Sequence, residues 1–327
     1  MRFSHTLIAA AVATSPATAQ RPEDEPICDY YTTALLKENT AENQLTLLTL
    51  IVNTVVIGNY TTPNVGIAVP GILAPGKYND TDVNLLPYFD GSLASSNRGG
   101  DEGVAVNSLD GGGAEPLKEN KPSNDETATQ YFLLTHLYQF FGSLLGCTQQ
   151  GMAGFDAYTA APSMYEVHKF MGLDPYEVGY FITQVGLAAA SFGVADADVA
   201  AVGAALTELF AYRCAPPAAA VAAQGPQLQS VCIAEDCPLA EGAVCDEYED
   251  VVEPMPAMSS DSASAPSASG SAAPGETPAV NGSVTMSMPT PTASETDMPS
   301  MIPTAAAVAG AAVNLAAVAG GLAALLL

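Results

Sequence analysis

Apolar residues return at intervals of three and four along several stretches of this chain, the spacing of one face of a helix. The widest stripe is Phe132, Leu133, His136, Leu137, Phe140, Phe141, Leu144 and Leu145. It predicts a helix that begins near Thr127 and stops at Gly146, close to Cys147. Upstream, Asp29 to Lys37 reads as a short helix. The run from Ala41 to Gly58 is apolar enough for a buried helix, with a strand over Thr49 to Ile57 as the alternative because Thr, Val and Ile crowd its end. Downstream, Ser163 to Glu166 has the form of a capping box, opening a short helix with Met164, Val167, His168 and Met171 on one face and Gly172 at its end. Asp174-Pro175 supplies a cap and a first-turn proline for a helix to Phe192, with Gly193 after it. A last helix follows from about Asp196 to Arg213.

Between these stretches the periodicity fails. Pro63, Pro70, Pro75, Pro87 and two glycine clusters break the span 59–127, where Val65 to Val69 and Val83 to Phe89 read as short strands or helical turns. A loop of that length inside a domain is either functional or mobile. After Cys214, the span 215–250 is loop-rich and holds Cys232, Cys237 and Cys245. The span 251–304 is Ser, Thr, Ala, Pro and Met without a basic residue, the composition of a disordered, O-glycosylated stalk. Residues 1–19 carry an arginine, a short apolar run and an Ala-Thr-Ala cleavage pattern, as in a secretory signal peptide. Residues 305–327 are apolar except for Asn314, follow a small-residue spacer, and have no Lys or Arg beyond them. That is the pattern of a GPI-attachment signal, the alternative being a transmembrane anchor.

Both ends thus place the protein outside the cell, on the outer membrane leaflet through a lipid or in the wall. Six cysteines agree with an oxidising compartment. If all pair, at least one bridge joins the group Cys28, Cys147, Cys214 to the group Cys232, Cys237, Cys245, and the sequence does not choose among fifteen connectivities. The sequons at Asn59, Asn79 and Asn281 offer glycan sites. A formal net charge of −26 excludes nucleic acid as a partner. The acids Asp101, Glu102 and Asp110 beside glycines invite a calcium reading, but their spacing fits no EF-hand loop. The late cysteines lack the paired spacing of a zinc knuckle. Ser163, His168 and Asp174 are sequence neighbours without a nucleophile elbow, so a hydrolase reading has little behind it.

Three histidines occur, and His5 lies in the leader, which leaves His136 and His168. Around them the run from His136 to Gly146 with its paired Phe140-Phe141, the approach Ala161-Pro-Ser-Met-Tyr-Glu-Val-His168, and the turn Phe192-Gly-Val before the last helix resemble the truncated, two-on-two haemoglobins. The resemblance covers roughly Tyr131 to Phe210. It implies a mainly α fold: a globin-like helical domain over 20–214, built as a sandwich of two helix pairs, with the long irregular insertion 59–127 and a disordered stalk after it. It also implies haem as cofactor, with His168 as the proximal iron ligand and His136 in a place where some members offer a second imidazole. Leu133 and Leu137 fall where distal-pocket residues sit, Phe140 and Phe141 against the macrocycle, and Met164 and Met171 flank His168. The chain departs from the family at Cys147, where a second glycine is usual, at the extra Ser163, in the length of the insertion, and in lacking a tyrosine within Leu50 to Val56.

A haem needs an apolar slot and an imidazole, and the two helices supply both. With two histidines on the iron, reaction with a diatomic ligand or electron transfer to a redox partner is expected in preference to oxygen carriage. Peroxidase work is disfavoured by the aliphatic distal side. The competing expectation is a cofactor-free, GPI-anchored surface or wall protein acting in structure or adhesion.

Overall fold

The chain is organised around one nearly enclosed helix, α2 (Ala41–Ile57), with α1 (Ile27–Leu36) running into it. The computed structural model describes residues 21–61 and 64–257. The expected signal peptide, the attachment signal and all but the first seven residues of the expected stalk lie outside the described residues. Leu47, Leu48, Ile51, Val52, Val55 and Val56 of α2 are all buried, so the β-branched end stays helical and the strand alternative fails. Packing on several sides outweighs a propensity cost of a few tenths of a kcal/mol per residue. The end of α2 is satisfied by returning chain. Gly58 N–H bonds the Thr54 carbonyl, and Ile72 and Leu73 N–H bond those of Val55 and Val56.

Five further helices complete the set among the described residues: α3 (Ala114–Lys118), α4 (Thr129–Leu144), α5 (Met164–His168), α6 (Pro175–Ser191) and α7 (Asp196–Phe210). The protein is therefore mainly helical, as expected. α2 packs on α1, α4 and α6, and α6 packs on α7. Asp174 and Glu177 form the capping box of α6. Ser163 Oγ accepts the Glu166 N–H at the start of α5 (3.2 Å) and donates to the Leu228 carbonyl, but the expected capping box is only half formed, since the Glu166 carboxylate pairs with Lys169 instead of reaching back.

The stripe predicted on α4 marks its core face only in part: Phe140 and Phe141 are buried, and Leu133, Leu137, Leu144 and Leu145 pack against the core half-buried. Leu134 and Tyr138, outside the stripe, are 1% and 2% exposed and face the interior, where the Tyr138 hydroxyl donates to Asn53 Oδ1 of α2 (2.6 Å). Much of the stripe instead borders a cavity: Phe132 is 43% exposed and His136 is also exposed, not buried as the pattern suggested. An apolar stripe reports what is kept from bulk water, not which neighbour covers it.

The described residues of the insertion, 59–61 and 64–127, are ordered against the helices. They contain a hairpin of β1 (Gly76–Tyr78) and β2 (Thr81–Val83), paired antiparallel with Gly76 opposite Val83. Asn79 and Asp80 hold the left-handed conformation its two-residue turn requires, which leaves the Asn79 sequon on an exposed tip. The hairpin lies directly on α6, with the Tyr78 ring over Gly179 and the Tyr180 ring over Gly76, so a Cβ at either glycine would collide with an aromatic ring. Val83 to Phe89 supplies the end of a strand and a single 3-10 turn, whereas Val65 to Val69 has no regular structure.

The six cysteines form three bridges: Cys28–Cys147, Cys214–Cys245 and Cys232–Cys237. The second joins the early and late groups, as expected. The extension 215–250 folds back on the helical block, and residues up to Ala257 hydrogen-bond the insertion through Ala94 N–H to the Met255 carbonyl and Ala257 N–H to the Ser92 carbonyl. Among the described residues no single helix is long and apolar enough to cross a membrane.

Candidate cofactor-binding site

A cavity of about 670 Å³ opens between α4, α5, α6 and the insertion. That size falls within the range of pockets that take cofactor-sized ligands. The residues singled out from the sequence all line it: Leu133, His136, Leu137, Phe140 and Phe141 from α4, with Met164, His168 and Met171 from α5 and the turn after it. A second hollow, of about 40 Å³, lies in the apolar core between α1, α2 and α4 and has no polar lining to hold a water.

His168 is the most strongly prepared group. Its Nδ1 lies 2.7 Å from the Met164 carbonyl, which can only accept, so the proton sits on Nδ1. Nε2 then carries the lone pair, and no hydrogen bond reaches it among the described residues. Burial holds the imidazole pKa below its ordinary value against the raising effect of that carbonyl, which keeps the ring neutral at physiological pH. A ring fixed through Nδ1 with a free Nε2 is the usual state of a metal-ligating histidine.

His136 is held differently. It makes no hydrogen bond among the described residues, and its ring stands edge-on to Tyr158, 6.4 Å between centroids. Partial desolvation of the ring by the surrounding cavity wall first, and the Arg98 guanidinium second, hold its pKa low. Tyr158 is anchored by donation to the Ala161 carbonyl (2.8 Å), and burial pushes its phenol up to about 12. Without a metal it faces the cavity as a neutral phenol.

The remaining wall comes from parts of the chain the sequence did not single out. The insertion contributes Tyr88, Phe89 and Arg98, α6 contributes Glu177, Val178 and Phe181, and the extension contributes Val231. Arg98, exposed, donates to Thr129 Oγ1 (3.2 Å) and is the one Lys or Arg among the described residues that lines the cavity. Tyr88 donates to Glu177 Oε1 (2.9 Å), and burial raises the Glu177 pKa. Nothing in irregular sequence announces such residues, since no period marks the inward side of a loop.

One acid of the calcium reading has another use. Asp110 accepts the Thr129 and Gln130 N–H groups (3.0 and 2.9 Å) and caps α4, whose own N-cap residue offers no side chain. Burial opposes its charge, but those two N–H groups outweigh it and hold the carboxyl below its ordinary value. Among the described residues no group of three or more His, Cys, Asp or Glu side chains is arranged to hold a bare metal ion. One or two imidazoles in an apolar hollow suit an ion that a macrocycle already holds.

No protein-family model, curated protein or solved structure matches this chain. The geometry of the cavity therefore carries the functional reading.

Proposed function

We propose that this protein binds haem in the cavity between α4 and α5, with His168 as the fixed iron ligand and His136 as a second, releasable one. The observation that carries the reading is the tautomer of His168: Nδ1–H is committed to the Met164 carbonyl while Nε2 is left without a partner on the wall of an apolar cavity. Leu133, Leu137, Phe140, Phe141, Met164 and Met171 would enclose the macrocycle, and Arg98 is placed to meet its carboxylates. Bound haem would supply one-electron chemistry or a site for a diatomic ligand.

The two histidines divide the work. His168 is held at Nδ1 and keeps its direction, whereas His136 is secured by ring contact alone and sits beside the opening. With both imidazoles bound the iron has no open position, which favours electron exchange with a redox partner. Departure of His136 would admit a small diatomic molecule. Arg98 and Tyr158 line the cavity beside His136, so the purely aliphatic distal side expected from the sequence gives no argument against peroxidase work.

The absorption spectrum of the folded ectodomain, titrated with haem, tests the reading. A Soret band that saturates at one equivalent is expected, and a protein that stays colourless leaves a cofactor-free surface protein instead. His136→Ala is expected to convert a low-spin, six-coordinate spectrum to a five-coordinate one while haem is retained. An unchanged spectrum would make His136 a packing residue only.

We further infer that the protein works outside the cell, on a lipid anchor. Three disulfides support an oxidising compartment, and the patterns at both chain ends support secretion and anchoring. Release from intact cells by a phosphatidylinositol-specific phospholipase is expected; retention after such treatment counts against the anchor.

A further inference from the structure

We propose that Gln229, in the extension after the helical block, is the positioning residue for His168. The inference rests on the assignment of His168 as an iron ligand and adds a part of the chain that resembles no globin element. Gln229 is 1% exposed and spends its whole amide on the start of α5 and its surroundings. Its Oε1 accepts the Met164 N–H (3.1 Å), and its Nε2 donates to the Pro162 and Ala218 carbonyls (3.0 and 3.2 Å).

Met164 is the first residue of α5, so its N–H has no acceptor within the helix. The carbonyl of the same residue accepts the His168 Nδ1–H. One residue is thus gripped at both ends, by Gln229 at its N–H and by the imidazole at its carbonyl. The neighbouring Leu228 carbonyl accepts from Ser163 Oγ (2.6 Å) and from the Tyr165 N–H (3.3 Å), so three consecutive residues at the start of α5 rest on two of the extension.

The extension is itself staked down. Val231 and Cys232 N–H both bond the Phe210 carbonyl at the end of α7, Ser230 Oγ accepts the Ala215 N–H, and Cys232 is bridged to Cys237. A helix of five residues has too few internal bonds to fix its own direction. The direction of the His168 ring is inherited from the support beneath Met164.

The test reads the His168 side chain in the metal-free protein by long-range proton–nitrogen correlation. The wild type is expected to show the Nδ1–H tautomer. Gln229→Met keeps the volume and removes all three bonds, so the Nε2–H form is expected to take over. Haem affinity is expected to fall about tenfold or more, the usual loss when a partner behind a metal ligand is removed. Gln224→Leu is the control: it removes the extension's bond to the Ala160 carbonyl without touching Met164, and the tautomer should not move. An unchanged tautomer in Gln229→Met, or an equal change in Gln224→Leu, overturns the proposal. Should Gln229→Met fail to fold, hydrogen exchange at the wild-type Met164 amide decides. Slow exchange supports the grip by Gln229, and exchange as fast as a free first-turn amide refutes it. A wild type with the Nδ1–H tautomer that takes up no haem would remove the iron assignment while leaving the role of Gln229 intact.

Discussion

His168→Ala is expected to abolish haem retention, so that the purified variant shows no Soret band while its helical circular dichroism stays that of the wild type. The side chain lies on the cavity wall and, of the two imidazoles among the described residues, is the one with a fixed direction. Its removal leaves only His136, which no hydrogen bond orients among the described residues, and an iron held on one side by an unfixed ring dissociates readily. The truncated site keeps room for a free imidazole, so adding imidazole to the variant with haem should restore a band. A variant that retains haem with the wild-type spectrum would exclude His168 as the essential ligand. The pH dependence has a defined sign. A proton on Nε2 competes with iron, and burial lowers the pKa of this imidazole. Haem release on acidification should therefore begin only below the ordinary imidazole value of about 6.5.

The second large effect is expected from the double variant Cys28→Ser, Cys147→Ser. The bridge closes a loop with a sequence separation of 119 residues, from the start of α1 to the chain just after α4. In the chain-entropy account, opening a loop of that length stabilises the unfolded ensemble by about 5 kcal/mol. At roughly 2–4 °C per kcal/mol for a domain of this size, the midpoint of thermal unfolding should drop by about 10–20 °C. The native geometry should survive in the cold, because the same junction has other ties. Cys28 N–H bonds the Leu145 carbonyl, and the Asp29 carboxylate accepts from Thr148 N–H (3.0 Å), Thr148 Oγ1 (2.6 Å) and Gln44 Nε2 (2.7 Å). Scanning calorimetry with and without reductant measures the effect, and equal midpoints for variant and wild type would refute it.

How far the sequence speaks for this molecule depends on what kind of order an element has. All the helices but α3 were legible because their stripes, caps and stops repeat a known geometry, and Asp174-Pro175 marked the start of α6 to the residue; α3 lies in the span 59–127, where no period announces it. The lining residues of α4 and α5 were legible for the same reason, as apolar positions clustered around two histidines. The core face of α4 was legible only in part, through Phe140 and Phe141. Leu134 and Tyr138 lie outside the most apolar stripe, and their burial depends on α2 and on the Asn53 side chain, which is a tertiary fact. Arg98 and Tyr88 belong to a segment without a period, so their arrival at the cavity is fixed by the hairpin seated on α6 and by turns whose register no local pattern states. Asp110 looked like a metal ligand because an acid beside glycines suits both a cation and a helix start. Only the position of α4 decides between them.

The walls of the cavity are drawn from Ile72 at one extreme of the sequence and Val231 at the other. A fragment excised around the four longest helices would therefore be a poor stand-in for the whole. Cut before the extension, it would lose the amide beneath α5; with the insertion spliced out, it would lose the cavity arginine and the cap on α4. Useful expression boundaries lie outside all of these, from Arg21 to Ala257, and a shorter piece that proves inert says nothing about the intact protein.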